Sequence, residues 1–120
     1  MLPMANQEIR GEDYVVYYNA NAVIVTFQGE LALRSPKEYA PIKDLLDEVA
    51  SSRPAVMTLD LKKLEFLNSS GISMLSKFVL GLRNNQNIQL AILGSHDVPW
   101  QRKSLRNLQK FLPSLRLKVE

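Results

Sequence analysis

The 120-residue sequence contains no cysteine and a single histidine, His96. Disulfides, thiolate nucleophiles and thiolate-bound metals are therefore excluded, and one histidine cannot supply the two or more ligands of a histidine-based metal site. No apolar run approaches the ~18 residues that a membrane-spanning helix needs. The first residues also lack the basic and then apolar layout of a secretory signal. We therefore expect a cytoplasmic protein that has no cofactor and no contact with a membrane.

Glycine-rich phosphate-binding motifs are also missing. Neither G-x-x-x-x-G-K-[S/T] nor G-x-G-x-x-G occurs in the sequence, so no pattern predicts nucleotide binding. A Ser-His-Asp mechanism would require His96 and Asp97 to converge with a serine in space, and a lone loop histidine is more often structural. We expect no enzymatic activity, and a small enzyme that uses His96 is the least favoured hypothesis.

The composition, 46% hydrophobic and 22% charged, is typical of one soluble globular domain. The net charge of +3 conceals an asymmetry: residues 1–75 carry seven Lys/Arg against ten Asp/Glu, whereas residues 76–120 carry eight against two. A basic C-terminal third can attract an acidic partner or nucleic acid, although a solvated helix face produces the same pattern. Trp100 among basic residues fits a nucleic-acid patch, but we favour a core anchor and expect no direct contact with nucleic acid.

Hydrophobic periodicity divides residues 13–120 into alternating strands and helices. Residues 1–12 are polar and unpatterned, and we interpret them as a lead-in to a domain at 13–120. Alternating or β-branched runs predict strands at residues 14–18, 22–28, 56–61, 88–93 and 115–119. Helical spacing predicts three helices: one that starts at Ser35-Pro36 and contains Pro41, one that follows Asn68-Ser69-Ser70-Gly71, and one at 100–112.

The resulting order, β-β-α-β-α-β-α-β, predicts an α/β domain with a mixed sheet of four to five strands. One face of the predicted strands is more apolar than the other, so we expect the three helices to pack mainly on that face. Pro41 leaves open whether the first helix starts late or kinks. The polar segment Asn84-Asn85-Gln86-Asn87 is expected to end the second helix.

The serine pair lies between a strand pattern and a helix pattern, in the stretch D-L-K-K-L-E-F-L-N-S-S-G-I from Asp60 to Ile72. This stretch resembles the D-S-S-G signature of STAS domains, the anti-sigma factor antagonist family, with Asn68 where the family typically has Asp. A weaker family motif, the G-E-L turn, is matched by Gly29-Glu30-Leu31. The resemblance extends from about Tyr14 to Val119 and implies the STAS fold.

The resemblance implies a non-enzymatic partner-switching protein in signal transduction and transcription regulation. In the family, the second serine of the motif is phosphorylated, which by position is Ser70, with Ser69 as a minor alternative. The kinase is the anti-sigma factor itself, which is also the docking partner, and a phosphatase reverses the modification. We expect the partner to contact Asn68, Ser69, Gly71, Ser73 and Lys77. Two further interpretations stay open: a non-phosphorylated interaction or scaffold module of a larger assembly, and serines that only cap the helix.

Overall fold

In the computed structural model, which describes residues 5–84 and 87–120, six strands form one sheet and three helices connect the later strands. The chain order is β1 (Gln7–Arg10), β2 (Tyr14–Asn19), β3 (Ile24–Leu31), α1 (Pro36–Ser51), β4 (Val56–Leu67), α2 (Ser69–Gly81), β5 (Gln89–Gly94), α3 (Pro99–Phe111) and β6 (Arg116–Val119), with a short 3-10 turn at Leu82–Asn84 after α2. The α/β class, the mixed sheet and the three helices are confirmed.

The strands lie side by side in chain order, from β1 to β6. Strands β1, β2 and β3 pair antiparallel, and β3 through β6 pair parallel. Because parallel crossovers are right-handed and the chain always advances in the same direction, all three helices are placed on the same face of the sheet. In agreement, α1 contacts α2 and α2 contacts α3. The core between sheet and helices is built from fully buried side chains such as Leu59, Leu61, Leu90 and Ile92.

The expectation of four to five strands is wrong by at least one, because β1 forms within the segment interpreted as a lead-in. Its register pairs Gln7 with Tyr18 and Arg10 with Val15. Three of its four residues are exposed and only Ile9 is half-buried. A strand held mainly by backbone pairing has no hydrophobic period to detect. Residues 1–4 of the same segment lie outside the described part of the chain, as do Asn85 and Gln86 of the predicted polar stop.

Strand β3 does not end at Gly29 but continues to Leu31. Gly29 lies in the left-handed region, with φ of 91°, next to a register shift between β3 and β4. A Cβ at this position would collide with the backbone carbonyl of Asp13, and the next N–H, that of Glu30, donates to the same carbonyl at 2.8 Å. Glycine is therefore required here by both conformation and space.

Strand β4 is also longer than predicted, because it continues from Leu61 to Leu67 through a register shift. Side chains of α3 pair with the carbonyls there. The Gln101 side-chain amide donates to the carbonyls of Leu61 (2.5 Å) and Leu64 (3.0 Å), and the indole of Trp100 donates to Leu64 (3.0 Å). Trp100 is thus confirmed as an anchor of α3 to the core.

Helix α1 starts at the predicted position. The Ser35 hydroxyl accepts from the Glu38 N–H, and the Glu38 carboxylate accepts from the Arg34 N–H, a variant of the capping box. The helix runs through Pro41 to Ser51, so neither a late start nor an interruption occurs. Within the described residues, no helix is both long and apolar enough to cross a membrane.

Candidate functional site

The serine pair occupies the first turn of α2, and the residue before it caps the helix. Asn68 has extended backbone, and its Oδ1 accepts from the Gly71 N–H at 3.0 Å. Ser69 and Ser70 are then the first two helical residues, where backbone N–H groups have no partner within the helix. Asn68 is therefore the cap of α2, and the serines are not.

Asn68 also ties α2 to the loop between β3 and α1. Its Nδ2 donates to the Leu33 carbonyl at 2.8 Å, and its Oδ1 accepts a second hydrogen bond from the Tyr39 hydroxyl at 2.6 Å. Tyr39 is 1% exposed, and burial raises the pKa of its hydroxyl above the ordinary value. The hydroxyl is protonated at neutral pH and can donate. The Leu31 carbonyl lies 3.2 Å from the same hydroxyl. One amide side chain therefore joins the β3–α1 loop, α1 and α2.

This network gives a physical reason for Asn at a position where the family resemblance leads one to expect Asp. An ionised carboxylate can only accept hydrogen bonds, whereas the amide of Asn68 both accepts and donates. A carboxylate at position 68 could still cap Gly71, but it would place an oxygen 2.8 Å from the Leu33 carbonyl where a donor now sits. The local backbone therefore favours Asn.

The two serines differ in accessibility. Ser69 is exposed and Ser70 is half-buried. Within the described part of the chain, no residue exchanges a hydrogen bond with either hydroxyl group. Both hydroxyls thus lie at the positive end of the α2 dipole without a structural task, where an added anion is stabilised.

The other predicted contact residues divide into two groups. Ser73 and Lys77 are exposed and follow Ser69 at four-residue spacing, so the three form one outward stripe on α2. Gly71 is buried instead, and a Cβ there would lie 2.8 Å from the Tyr39 hydroxyl and collide with Leu67. Gly71 therefore shapes the turn by permitting close packing and offers little surface to a partner.

An acidic cleft of about 570 Å³ adjoins the start of α2. Its lining includes the carboxylate residues Glu12, Asp13 and Glu30, together with Leu33, whose carbonyl binds Asn68, and Phe66, which is 45% exposed. The pattern of the sequence did not predict this cleft, because its residues come from three separate segments. Likewise, the helical periodicity identifies Tyr39 only as an apolar position of α1 and does not predict that its hydroxyl binds Asn68.

The residues of the enzyme hypothesis are not organised into a site. His96 and Asp97 are both exposed in the loop before α3, and the Ser95 hydroxyl there accepts from the Asp97 backbone N–H at 3.1 Å. In residues 5–84 and 87–120, no cluster of three or more His, Asp or Glu side chains has metal-binding geometry.

Comparison with known families matches the STAS domain model to residues 13–120. The chain therefore belongs to the STAS domain family, as the serine motif and the G-E-L motif indicate. Among curated proteins, no sequence matches this chain.

Solved structures share the fold at low sequence identity. SiaC of Pseudomonas aeruginosa is 17% identical with a TM-score of 0.73, and the alignment covers 98% of each chain. The complex of the diguanylate cyclase SiaD with its activator SiaC, from the same organism, matches with 15% identity, a TM-score of 0.64 and coverage of 95% and 99%. An anti-sigma factor antagonist from Mycobacterium paratuberculosis matches with 18% identity, a TM-score of 0.53 and coverage of 93% and 84%.

Proposed function

We propose that this protein is a non-catalytic partner-switching regulator whose binding to a protein partner is controlled by serine phosphorylation at the start of α2. The observation that carries the proposal is that Asn68 and the two serines have different roles at this turn. Asn68 performs the capping, so Ser69 and Ser70 are available for another role at a surface site that stabilises anions. The STAS fold and the structural similarity to an anti-sigma factor antagonist support it.

Ser70 is the acceptor in this proposal, by its position in the family motif, and the more exposed Ser69 is the alternative. A phosphate adds about two negative charges at pH 7. It would join a surface that already carries the carboxylates of Glu12, Asp13 and Glu30. The combined charge would oppose docking of a partner through repulsion and through the cost of desolvating the phosphate. The helix dipole favours a negative charge at this position, so the phosphate would not destabilise the fold.

The partner that fits this switch is an anti-sigma factor or similar serine kinase, with a phosphatase to restore the unmodified form. The unmodified protein would capture the kinase, and the phosphorylated protein would release it. We place the cycle in the cytoplasm, where ATP for the kinase is available. The contact surface would be the start of α2 and its exposed stripe, with Ser73 and Lys77 at its centre.

Phosphopeptide mapping of the protein from its own cells, in growth and under stress, tests the modification. We expect phosphate on Ser70, with Ser69 as the other acceptor, and an occupancy that changes with condition. Full absence of phosphate from both serines in every condition would refute the switch.

Co-purification with Ser70→Asp, Ser70→Ala and wild type tests the consequence. We expect Ser70→Asp to lose the partner that the other two retain, and its melting temperature to be unchanged or slightly raised, because a carboxylate in the first helical turn is worth roughly 0.3–1 kcal/mol. Ser114→Asp is the matched control, since Ser114 is exposed outside α2. Equal recovery of the partner with all four proteins would contradict the proposal.

A second candidate function is a non-phosphorylated interaction module that activates or organises another protein. The observation in its favour is the similarity to SiaC, which is described as an activator in complex with a diguanylate cyclase. This function needs the same docking surface but no modified serine. It therefore predicts that Ser69→Ala/Ser70→Ala is silent in cells while substitutions of the exposed stripe are not.

A further inference from the structure

A groove of about 300 Å³ runs between α2 and α3 on the helical side of the protein. Ile72 and Ser76 of α2 form one wall, and Ser104 and Phe111 of α3 lie on the other. The floor includes Leu108, which is 2% exposed, whereas Phe111 is 38% exposed at the rim. The groove therefore offers an apolar surface that the fold itself does not cover.

Short side chains create this concavity. Ser76 and Ser104 occupy the facing positions where larger residues would close the gap between the two helices. The Ser76 hydroxyl donates to the Ile72 carbonyl at 2.9 Å, so its polar group is already satisfied within α2. Ser76 therefore needs no hydrogen bond from a ligand, while Ser104 and Asn107 add polar groups to the α3 wall. Most of the lining surface is apolar, so burial of apolar surface would drive binding.

Helix α3 is basic on its exposed side, and one of its cations lies at the groove. Helix α3 exposes four cationic side chains, and between Pro99 and Phe111 it contains no Asp or Glu: Arg102, Lys103, Arg106 and Lys110. Across the described ranges, 5–84 and 87–120, none of these four has a carboxylate within salt-bridge distance. Lys110 lines the groove itself, whereas the other three lie outside its lining, and Lys77 of α2 lies in the cleft that faces α1. An anionic ligand would find unneutralised positive charge beside an apolar slot.

We propose that this groove binds an acidic amphipathic helix of a protein partner. A slot between two packed helices accepts a third helix through apolar side chains at i, i+3, i+4 and i+7. The groove lining on α3 extends from Ser104 to Phe111, about 11 Å, which corresponds to roughly two turns of a partner helix and to one i to i+7 set of side chains. Charge complementarity selects an acidic partner and excludes a basic one. A nucleic acid would pair with the exposed cations of α3 but would leave the apolar slot without a complement.

The groove is continuous with the docking surface of the proposed function, and the assignment of its ligand rests on that function. Ile72 lies three residues after Ser69, so a phosphate on Ser69 would sit beside one end of the groove. Ser70 is two residues before Ile72 and faces another side of α2, so the charge of its phosphate would reach the groove from a greater distance. An acidic helix in the groove would be repelled by this phosphate. Phosphorylation would therefore release the partner, because the phosphate and the partner helix are both negatively charged.

Fluorescence anisotropy on the unmodified full chain tests the groove separately from phosphorylation. The probe is a labelled synthetic peptide of about 16 residues, with leucine at i, i+3, i+4 and i+7 and glutamate at most other positions. One comparison peptide has the same composition in scrambled order, and another has lysine for glutamate. We expect the acidic amphipathic peptide to bind at least about tenfold more tightly than either, and to weaken as salt increases.

Two groove variants and two matched controls complete the experiment. We expect Phe111→Ser and Lys110→Glu each to weaken the acidic peptide about fivefold or more. Tyr17→Ser removes an equally exposed aromatic from the opposite face of the sheet, and Arg116→Glu reverses an exposed charge on β6; both should leave affinity unchanged. Circular dichroism verifies that each variant is folded.

Equal binding of the scrambled peptide, or unchanged affinity in both groove variants, would overturn the groove proposal. Preferential binding of a short duplex DNA or of anionic phospholipid vesicles would overturn it in favour of another polyanion. None of these results depends on whether Ser70 is phosphorylated, and an unmodified Ser70 in cells would leave the peptide result intact.

Discussion

Replacement of Asn68 should show how much stability comes from capping α2 and how much comes from the hydrogen bonds of Asn68 to other segments. Asn68→Ala removes the cap to Gly71, the hydrogen bond to the Leu33 carbonyl and the acceptor of the Tyr39 hydroxyl. Loss of an N-cap costs about 1 kcal/mol. The half-buried Leu33 contact adds roughly 1 kcal/mol. The loss at Tyr39 is small, because its hydroxyl can turn to the Leu31 carbonyl 3.2 Å away. We therefore expect Asn68→Ala to lower the free energy of unfolding by about 2–3 kcal/mol.

Asn68→Ser divides this loss into its parts. Serine caps a helix as well as asparagine does but is too short to donate to Leu33, so we expect a loss of about 1–2 kcal/mol. Urea denaturation followed by circular dichroism measures both variants, with m-values checked for a common two-state transition. Asn84→Ala, an exposed asparagine after α2, is the control and should change stability by less than about 0.5 kcal/mol. If Asn68→Ala is no less stable than Asn68→Ser, the capping argument fails; if Asn68→Ser matches wild type, the linkage argument fails.

Two further predictions concern the packing at Gly71 and the buried hydrogen bonds of Gln101. Gly71→Ala should destabilise by about 1–3 kcal/mol, because its Cβ collides with buried Leu67 and crowds the Tyr39 hydroxyl, whereas Gly81→Ala in the same helix has no atom within 4 Å and should stabilise by roughly 0.5–1 kcal/mol. Equal effects in urea denaturation would contradict this. Gln101→Leu should cost about 2–4 kcal/mol, because the Leu61 carbonyl loses its side-chain donor and the Ser95 N–H loses its acceptor, while Leu64 keeps the Trp100 indole. A thermal midpoint equal to that of wild type would show that these hydrogen bonds do not contribute to stability.

Elements with a strong hydrophobic period were predictable from the sequence. The helix faces repeat at three- and four-residue spacing, and the capping serine before Pro36 locates the start of α1 because its mechanism is local. The position of the serine pair at the start of α2 was also predictable, since Asn, Ser and Gly are the residues that occur at helix starts. The class of the fold and the family follow from these local signals in their order along the chain.

Features that depend on distant partners could not be predicted. Strand β1 has no apolar period and exists because β2 offers it backbone hydrogen bonds. The second half of β4 has the sequence pattern of a polar loop. It forms a strand whose carbonyls accept hydrogen bonds from Gln101 and Trp100 of α3, some 37 residues later in the chain. Neither the formation of β1 nor the extension of β4 is visible in the local sequence pattern.

The sequence alone determined that residue types suited to a helix start, a phosphate acceptor and a basic C-terminal third are present, because these are properties of side chains and their spacing. Only the tertiary structure decided how they are used. It made Asn68 the cap and left the serines free, since Leu33 and Tyr39 come from other segments to bind the Asn68 amide. It also placed Lys110 of the basic helix α3 at an apolar groove, since packing against α2 leaves a gap between Ser76 and Ser104. Hydrogen bonds and cavities of this kind depend on which segments meet, and the chain order does not encode that locally.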